Sequence, residues 1–278
     1  MKIIEHKNEV EITGVVDFDL EKIFECGQCF RWNVDERGAY VGVAYGRVAK
    51  MRCVGESIFI SGGLDDFETI WRSYLDLDRD YAEIRKSLAI DDFMQSATDF
   101  GTGIRMLRQE KWEVLCSFII SQNNNIPRIK TIVEALCREF GNPVEFEGKQ
   151  YYTFPSAERL ADVNVESLAP LRCGYRAAYI ISAANAVASG AIDLDALAKS
   201  FPCVARAELK KIHGIGNKVA DCVMLFGFHM LDAFPVDVWM ERAVAEHFGK
   251  DFDPSIFSPH AGIAQQYIFY FKRSMGSS

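Results

Sequence analysis

One stretch of the chain, from Leu209 to Glu241, combines a glycine turn, a lysine and an aspartate between helical patterns. The turn, Gly214-Ile215-Gly216, lets the backbone bend tightly and approach a ligand closely, because glycine has no side chain in the way. It opens a helix whose first amides have no partner within the helix and therefore attract phosphate. The stretch thus predicts two helices joined by a backbone turn that can hold an anion.

Lys218 follows in the first turn of the second helix, beside a positive helix end that favours the free amine over the ammonium. A neutral lysine amine is a nucleophile. Asp237 ends the segment Pro235-Val-Asp, at the N-cap position of a helix expected over 238–248. Taken singly, these are a solvated lysine, a helix cap and an ordinary turn. Their combination in this order predicts a site with an amine nucleophile, a carboxylate and a phosphate-binding backbone.

The composition of the 278 residues, 49% hydrophobic and 25% charged, is typical of a soluble globular protein. A formal net charge of -8 argues mildly against a nucleic-acid partner. Basic side chains nevertheless cluster near the candidate site: Arg105, Arg108, Lys111, Arg128, Lys130, Arg176, Lys210 and Lys211. No apolar run is long enough for a membrane span, and the N-terminus does not resemble a secretory signal. We therefore expect a cytoplasmic protein, of a bacterium or an archaeon, that does not contact a membrane.

The eight cysteines are scattered in apolar surroundings, as expected for reduced thiols in an intracellular protein. Cys26 and Cys29 form a CxxC pair, but no second pair or histidine cluster completes a zinc site. Cys222 is the last cysteine, which excludes a four-cysteine iron–sulfur loop after the glycine turn. We expect no metal and no cofactor at the active site, and leave open a structural cation at the hairpin.

Strand signals occur up to about residue 62 and helical periods follow from Asp65 onward. This pattern predicts an α+β protein in which an N-terminal twisted antiparallel sheet domain precedes an all-helical bundle. The predicted domains are residues 1–95, with helices flanking the sheet, and residues 96–278, with the hairpin at about 205–224. The predicted strands lie near 10–13, 30–34, 39–43, 48–54 and 58–60. The predicted helices of the second domain lie at 111–122, 127–140, 157–161, 165–171, 175–189, 194–200, 205–212 and 258–273.

Three polar groups outside the hairpin have two interpretations each. Asn123-Asn124-Asn125 either caps helices or offers a polar wedge that fills the gap left by a flipped base. Arg128, Tyr175 and Arg176 are either surface side chains or a group that pairs with base edges and stacks on bases. Gln265 and Phe269 share one face of the last helix, where a phenylalanine is more often part of the core.

Taken together, these residues resemble the 8-oxoguanine DNA glycosylases of the helix-hairpin-helix (HhH-GPD) superfamily. The resemblance runs in order over nearly the whole chain. It rests on Gly27 to Trp32, Leu107 to Gln109, Ser121 to Arg128, Gly174 to Ala177, Gly214 to Cys222, Pro235 to Val238 and Ala261 to Gln265. It implies a sheet domain packed on a helical bundle, acting as a monomer on duplex DNA that carries 8-oxoguanine opposite cytosine.

The resemblance also implies the chemistry. Lys218 would attack C1′ of the damaged nucleotide, displace the base, form a Schiff base and allow strand cleavage by β-elimination. Asp237 would stabilise the developing oxocarbenium charge and assist the lysine. A pocket for the flipped base would consist of the Gly27 carbonyl, which accepts from N7–H of 8-oxoguanine, Cys222 and Phe269 on the two ring faces, and Gln265 at the pairing edge.

The remaining residues of the resemblance would hold the DNA. Asn123 would fill the vacated stack, while Arg128 and Arg176 hold the orphaned cytosine and Tyr175 wedges beside it. Backbone amides of the hairpin would grip phosphate at Gly214, Gly216 and Val219. Two positions depart from the family pattern. His213 stands where a proline usually precedes the first glycine. Trp239 replaces a histidine that contacts phosphate, and a tryptophan cannot carry its charge.

Three other hypotheses remain open. The chain could be a superfamily glycosylase for alkylated or oxidised pyrimidine bases, although Lys218 and the missing iron–sulfur cysteines disfavour this. It could be a non-catalytic DNA-binding module that keeps the hairpin only as a phosphate grip, which Lys218 together with Asp237 disfavours. The sheet domain could serve mainly as a surface for a protein partner.

Overall fold

Alternating apolar residues near the N-terminus form a six-stranded sheet in the computed structural model, which describes residues 1–275. Its strands are β1 (Lys2–Glu5), β2 (Glu9–Thr13), β3 (Trp32–Val34), β4 (Tyr40–Ala44), β5 (Arg47–Val54) and β6 (Ser57–Ser61). Their order in the sheet is β1-β2-β6-β5-β4-β3. The antiparallel sheet predicted from the sequence is therefore confirmed, and the edge strand β1 is an addition to it.

The register of the central strands separates an apolar face from a polar one. Val10 pairs with Ile60, and Ile12 with Ile58, and all four side chains are buried. On the opposite face, Arg52 makes an ion pair with Glu9 at 2.6 Å. Side chains alternate across a strand, so one slip of register would exchange the two faces.

Helices make up most of the rest of the chain, and polar side chains cap many of their first turns. They are α1 (Leu20–Glu25), α2 (Leu64–Asp66), α3 (Arg72–Tyr74), α4 (Tyr81–Leu88), α5 (Asp92–Phe100), α6 (Lys111–Ser121), α7 (Ile126–Phe140), α8 (Ala157–Ala161), α9 (Arg176–Ala188), α10 (Leu194–Leu197), α11 (Pro202–Leu209), α12 (Asn217–Cys222), α13 (Val238–His247) and α14 (Ala261–Met275). Short 3₁₀ segments lie at Val165–Leu171 and Pro254–Phe257, and π-helical turns at Phe67–Trp71 and Val223–Gly227.

The helical part of the chain also contains a small hairpin that the sequence analysis missed. Strands β7 (Pro143–Phe146) and β8 (Lys149–Tyr152) pair with each other, and the turn residues Glu147 and Gly148 both have positive φ. Positive φ at both central residues defines the tight turn that matches strand twist. The turn sequence is Glu-Gly rather than the strongly indicative Asn-Gly or Asp-Gly, so its signal is weak.

The chain separates into two compact units. The first unit comprises Met1–Gln28, Met51–Arg108 and the segment from His229 onward, and the second comprises Cys29–Lys50 and Gln109–Phe228. The division of the chain at residues 95 and 96 stays a prediction. Among the described residues, 1–275, no helix is both long and apolar enough to cross a membrane.

A buried carboxylate organises part of the first unit. Asp76 has a left-handed backbone, with φ of 48°, and its side chain is 5% exposed. Its oxygens accept from Arg79 at 2.7 Å, Tyr81 at 2.9 Å and Arg108 at 3.2 Å, and His229 lies 3.6 Å away. Burial alone would raise the pKa of Asp76, but His229 and Arg79 hold it well below its usual range. The cluster thereby ties the start of the last segment to this unit.

Helix α6 forms the centre of the second unit, as its apolar sequence predicts. Every residue from Val114 to Ile120 is buried. The ring of Phe118 stacks on that of Phe226, with centroids 5.0 Å apart, and meets the edge of Phe30 at 5.7 Å. Such aromatic pairs add specific geometry to the burial of apolar area. The end of α6 is therefore held firmly in place.

A largely buried ion pair lies at the start of the same helix. Nη1 of Arg31 is 3.4 Å from Oε2 of Glu113, and their side chains are 4% and 14% exposed. Arg31 also donates to the carbonyl of Tyr152. Burial raises the pKa of Glu113 to about 7, and the attraction of Arg31 only partly opposes this.

We expect the Glu113→Gln variant to gain stability relative to the wild type as the pH rises. The ordinary pKa of 4.5 for Glu113 rises to about 7 on folding, so between these values the folded chain binds more protons than the unfolded one. Wild-type stability then falls with rising pH, by on the order of 2–3 kcal/mol from this group, whereas glutamine does not titrate. Urea unfolding of both proteins at about pH 4 and about pH 8 measures the difference.

The matched control is Glu145→Gln, which removes an exposed carboxylate of β7. A constant difference in unfolding free energy between wild type and Glu113→Gln across this pH range would contradict the assignment.

Candidate active site

Lys218 lies in the first turn of α12, directly after the glycine turn, and is half-buried. Its Nζ is 3.3 Å from Oγ of Ser121, the last residue of α6, and 5.3 Å from the centroid of the Phe118 ring. The hydroxyl of Ser121 donates to the carbonyl of Phe118 at 2.8 Å, so its oxygen is left to accept from the lysine. No carboxylate of the second unit lies within ion-pair distance of Nζ. The hydroxyl of Ser121, rather than a carboxylate of the second unit, therefore orients the Lys218 amine.

Cys222 lies one turn after Lys218 and is buried, with 2% of its surface exposed. Helix α12 then runs directly into the π-helical turn at Val223–Gly227, which is also buried. This places the lysine on a helix whose far end is anchored in the core. Val219, next to the lysine, is likewise buried, so its contribution to any ligand contact is through the backbone.

The two glycines of the hairpin turn differ in how strongly the fold requires a residue without a side chain. Gly214 has φ of +87°, and a Cβ there would lie 2.2 Å from the ring of Tyr179. Gly216 is the N-cap of α12, with φ of −96°, and a Cβ there would meet nothing within 4 Å. Of these two positions, only Gly214 must be a glycine for the chain to adopt this fold. His213, in place of the usual proline, packs its ring edge-on to Tyr179 at 5.0 Å.

A buried carboxylate joins the two helices of the hairpin. Nε of Arg206 on α11 donates to Oδ1 of Asp221 on α12 at 2.6 Å. Burial raises the pKa of Asp221, although the bond from Arg206 acts in the opposite direction. The pair fixes the angle at which α12 leaves the turn.

The three asparagines after α6 do different things. Nδ2 of Asn124 donates to the carbonyl of Ile120 at 3.2 Å, and Oδ1 of Asn125 caps α7 by accepting from the Arg128 amide at 3.0 Å. Asn123 is exposed and has a left-handed backbone, with φ of 47°. Two of the three are therefore caps, while Asn123 projects from the protein surface.

The three predicted contacts for an orphaned cytosine also differ. Arg128 is exposed and donates only weakly, at 3.4 Å, to the carbonyl of Arg172. Tyr175 is 52% exposed, and its ring lies 4.6 Å below the guanidinium of Arg176. Arg176 itself is 5% exposed and donates to backbone carbonyls of the loop that contains Asn123. Arg176 is therefore not a surface residue, and most of its guanidinium N–H groups already have acceptors within the protein.

The remaining predicted residues belong to the first unit. Gly27 follows α1 in a left-handed conformation, with φ of 91°. The side chain of Gln28 donates to the carbonyls of Ile23 and Arg105 and accepts from the Leu107 amide, all at 2.8 to 2.9 Å. These bonds join the segment at 27–32 to the segment at 105–107.

Helix α14 carries two adjacent glutamines with different surroundings. Nε2 of Gln266 donates to the carbonyl of Cys26 at 2.7 Å and so fixes the residue before Gly27. Gln265 is 5% exposed, and no group of residues 1–275 bonds to its Oε1. A buried acceptor without a partner costs free energy, which makes it a candidate for ligand contact. Phe269, one turn later, is half-buried beneath the guanidinium of Arg273 at 5.7 Å.

Asp237 is the N-cap of α13, as predicted, and its Oδ1 accepts from the Met240 amide at 2.9 Å. Its side chain is partly exposed, so it can serve both as a cap and as a carboxylate facing a ligand. Trp239 is 36% exposed, and the guanidinium of Arg242 lies 5.8 Å from its ring. Arg242 brings a positive charge beside the tryptophan.

The sequence analysis missed Ser121, Gln28 and Gln266 as site-building residues. Ser121 and Gln28 lie inside segments that carry the family resemblance, but nothing local shows which partners a serine or glutamine will find. The contacts that build the site join residues far apart along the chain, such as Lys218 and Ser121.

Comparisons with known proteins show the family of this chain. Residues 12–115 match the family model described as 8-oxoguanine DNA glycosylase, N-terminal domain, and residues 116–255 match that of the HhH-GPD superfamily base excision DNA repair proteins. The chain belongs to the HhH-GPD superfamily of base excision DNA repair enzymes. Within it, the N-terminal match places the chain in the branch of the 8-oxoguanine DNA glycosylases.

Individual relatives support the same branch. The N-glycosylase/DNA lyase of Saccharomyces cerevisiae is 34% identical over 249 residues, which are 80% of this chain and 66% of the yeast protein. The structure of MBOgg1 with a low affinity DNA ligand is 46% identical, with a TM-score of 0.94 over 99% of this chain and 100% of that one. The 8-oxoguanine glycosylase/lyase of Clostridium acetobutylicum, solved with double-stranded DNA containing cytosine opposite 8-oxoG, is 36% identical, with a TM-score of 0.94 over 99% of both chains.

We expect Gly214→Ala and Gly216→Ala to differ in stability. The first adds a methyl group against Tyr179 at a positive φ, which we expect to cost about 1–3 kcal/mol of unfolding free energy. The second adds it in open space at a helix N-cap, which we expect to cost less than about 1 kcal/mol. Thermal or urea unfolding of the two variants measures both values.

Equal losses of unfolding free energy in the two variants would contradict the assignment of the close contact and the backbone strain to Gly214 alone. If Gly216→Ala is stable, any loss of ligand affinity in that variant reports a ligand that approaches this backbone.

Proposed function

We propose that this chain excises 8-oxoguanine from duplex DNA, with cytosine opposite the lesion, through a Schiff base at Lys218, and then cleaves the strand by β-elimination. The observation that carries the proposal is the Lys218 amine, half-buried on the hairpin and held by Ser121 without a carboxylate of its own unit beside it. The named activity of the yeast and clostridial relatives supports it. The chain acts as a monomer on double-stranded DNA.

The first step is displacement of the base. The Lys218 nitrogen attacks C1′, the bond from C1′ to the base nitrogen breaks, and the base leaves with that electron pair. The carboxylate of Asp237 stabilises the positive charge that develops on the sugar, which is the usual role of a fixed charge at such a site. The amine then loses its proton and the sugar ring opens to an iminium.

The second step is cleavage of the strand. The iminium acidifies the C2′ hydrogen, a base removes it, and the 3′ phosphate departs as the C2′–C3′ double bond forms. Water then releases the sugar from Lys218. This chemistry uses groups of the protein and the DNA together with water, so we propose no cofactor and leave open a structural cation at the hairpin.

Selection of the lesion falls to several weak contacts. The Gly27 carbonyl accepts from the N7–H that guanine lacks, and one such bond is worth roughly 1–3 kcal/mol. Cys222 and Phe269 cover the two faces of the flipped base, and Gln265 pairs with its edge. Guanine and 8-oxoguanine share that edge, so the Gln265 contact selects a guanine-type base against other bases, and the Gly27 contact selects the lesion against guanine.

The DNA itself is held from the second unit. The hairpin backbone at Gly214, Gly216 and Val219 grips phosphate, and Asn123 fills the vacated stack. Arg128 and Arg176, with Tyr175 beside them, face the orphaned cytosine. Trp239 in the first unit stacks or donates one hydrogen bond where relatives use a charged contact.

A bacterial or archaeal cytoplasm remains our prediction for the location of the protein, to which the yeast relative lends no support.

We expect Lys218→Gln to abolish excision, strand cleavage and borohydride trapping while duplex binding survives. Glutamine has no nucleophilic amine, so the catalysed rate should fall by at least about 10³-fold. The measurement is incubation with a duplex carrying one 8-oxoguanine opposite cytosine, followed by borohydride and a search for a covalent protein–DNA band. The control is Lys199→Gln, an exposed lysine that precedes α11 in the chain, which should trap like the wild type.

Two results would redirect the proposal. A wild-type protein that binds the duplex but neither cuts nor traps it would indicate a binding module. Trapping on duplexes with alkylated or oxidised pyrimidine bases, but not on 8-oxoguanine, would indicate a different lesion class.

We expect Gln265→Met to preserve or raise the stability of the protein while lowering 8-oxoguanine excision. Methionine has a similar volume and removes a buried acceptor that has no partner among the described residues. We expect excision to fall about 10- to 100-fold, since an edge contact of roughly 1–3 kcal/mol is lost. Single-turnover kinetics and thermal unfolding of the same preparation measure both effects. A variant that loses stability and keeps its rate would show that Gln265 is structural.

A further inference from the structure

An arginine ends the 3₁₀ segment Val165–Leu171 in a backbone conformation that arginine rarely adopts. Arg172 has φ of 57° and ψ of 34°, and its amide donates to the carbonyl of Ala169 at 3.0 Å. Helices often end on a left-handed residue, but that residue is usually glycine or asparagine, because a Cβ is crowded in this conformation. Arginine at this position therefore costs stability that glycine would not cost.

The side chain of Arg172 does not regain that stability within the described part of the protein. It is exposed, and no group of residues 1–275 bonds to its guanidinium. Three other residues with positive φ, Asp17, Asp76 and Glu147, each pair with a lysine or an arginine. Their side chains stabilise the fold at these positions, whereas the charged fork of Arg172 has no such partner. A strained residue without a structural role points to a ligand.

Arg172 lies beside side chains that are proposed to face the DNA. Nη2 of Arg128 donates to its carbonyl at 3.4 Å, and the exposed ring of Tyr175 follows three residues later. The hydroxyl of Tyr175 is 3.5 Å from the carbonyl of Gln122, the residue before Asn123. These contacts place Arg172 on the same surface of the second unit as the groups proposed for the orphaned cytosine and the vacated stack.

The chemistry of this surface favours a phosphate as the ligand of Arg172. The cytosine itself is assigned to Arg128 and Arg176, whereas the phosphates of its strand have no partner assigned. A guanidinium binds two phosphate oxygens at once, and such contacts position a protein on a duplex without reading its sequence. Because the chain has a net charge of -8, its long-range attraction to DNA is weak, so binding depends on close cationic contacts of this kind.

We propose that Arg172 binds a backbone phosphate of the strand opposite the lesion, next to the orphaned cytosine. This inference rests on the proposed function, in which Arg128, Arg176 and Tyr175 face that cytosine. In a duplex held in this way, the phosphates on either side of the cytosine are the anions beside the Arg172 loop. The contact adds affinity for the duplex and is indifferent to the base opposite the lesion.

The test measures the Kd of Arg172→Gly and of the wild type for a duplex with a tetrahydrofuran abasic analogue opposite cytosine, from about 50 to 200 mM salt. The analogue carries no base to excise, so binding is measured by itself. We expect the Kd to rise about 3- to 10-fold at the lowest salt, and the slope of log Kd against log salt to fall by about one, as for one lost phosphate contact. The factor should be the same with adenine opposite the analogue. The thermal midpoint should not fall, because glycine adopts a positive φ readily.

Uncharged phosphate analogues identify the strand that Arg172 contacts. A methylphosphonate, placed at one position at a time beside the cytosine, removes the charge of that phosphate. We expect the wild type to lose affinity at one of these positions and Arg172→Gly to lose little more there, because the same contact can be lost only once. Methylphosphonates in the lesion strand should weaken both proteins alike.

Three variants control for charge and for backbone conformation. Arg172→Lys keeps the positive charge, so its Kd should stay within about threefold of the wild-type value and its salt slope should not change. Arg138→Gln removes the charge of an exposed arginine of α7, and Glu147→Gly relieves the positive φ in the β7–β8 turn. Both of these should bind the duplexes like the wild type.

An unchanged Kd and salt slope in Arg172→Gly would overturn the proposal. A loss confined to the duplex with cytosine would overturn it in favour of a direct contact to the base, and coupling to a phosphate of the lesion strand would overturn the choice of strand. Excision of 8-oxoguanine opposite cytosine by the wild type tests the proposed function separately. A wild type that binds these duplexes without excising the lesion would refute that function, while the Arg172→Gly comparison would still decide whether Arg172 binds phosphate.

Discussion

The fixed end of helix α6 is the constraint on which the candidate site depends. The helix is buried over residues 114–120, and the ring of Phe118 near its end stacks on that of Phe226 in the close-packed core. Its last residue meets Lys218, and its C-cap receives Arg176. A rigid apolar core thus holds polar groups at defined places, as the proposed reaction at a sugar carbon requires.

Charge in this protein is local. The chain carries a net charge of -8, yet the groups proposed to meet DNA are backbone amides at a helix start, an amine and a few arginines. Weak long-range attraction to a polyanion follows from that balance, so binding depends on close contacts. The difference between Gly214 and Gly216 fits this view, because the second glycine leaves open space at the turn that the fold itself does not need.

Some residues proposed for the site carry an unsatisfied group or an unusual backbone conformation. Gln265 buries an acceptor without a partner among residues 1–275, and Gly27 and Asn123 have left-handed backbones. The unpaired acceptor of Gln265 and the left-handed backbone of Asn123 cost stability in the free protein, whereas a glycine such as Gly27 adopts a positive φ readily. Well-packed helices and capped termini elsewhere offset this cost. Because these groups already have the conformation proposed for ligand contact, less free energy is lost to rearranging the protein when a damaged nucleotide binds.

Local chemistry in the sequence determined much of this protein. The period of apolar residues predicted the sheet strands and the core helix α6, and cap chemistry predicted the role of Asp237 as the start of α13. The same rules missed β1, a short edge strand, and the β7–β8 hairpin, whose Glu-Gly turn is a weak signal. Where a residue's partner lies within one or two turns, its sequence neighbourhood is enough to predict the contact.

The tertiary structure alone decided what long-range partners the polar side chains found. Arg176 has the sequence context of a surface arginine but is buried against carbonyls of a loop that precedes it by about fifty residues. Ser121 met Lys218, and Gln28 met the segment at Arg105 and Leu107, across similar separations. Side-chain hydrogen bonds depend on where packing brings the backbone, and packing is set by the whole core rather than by any local pattern.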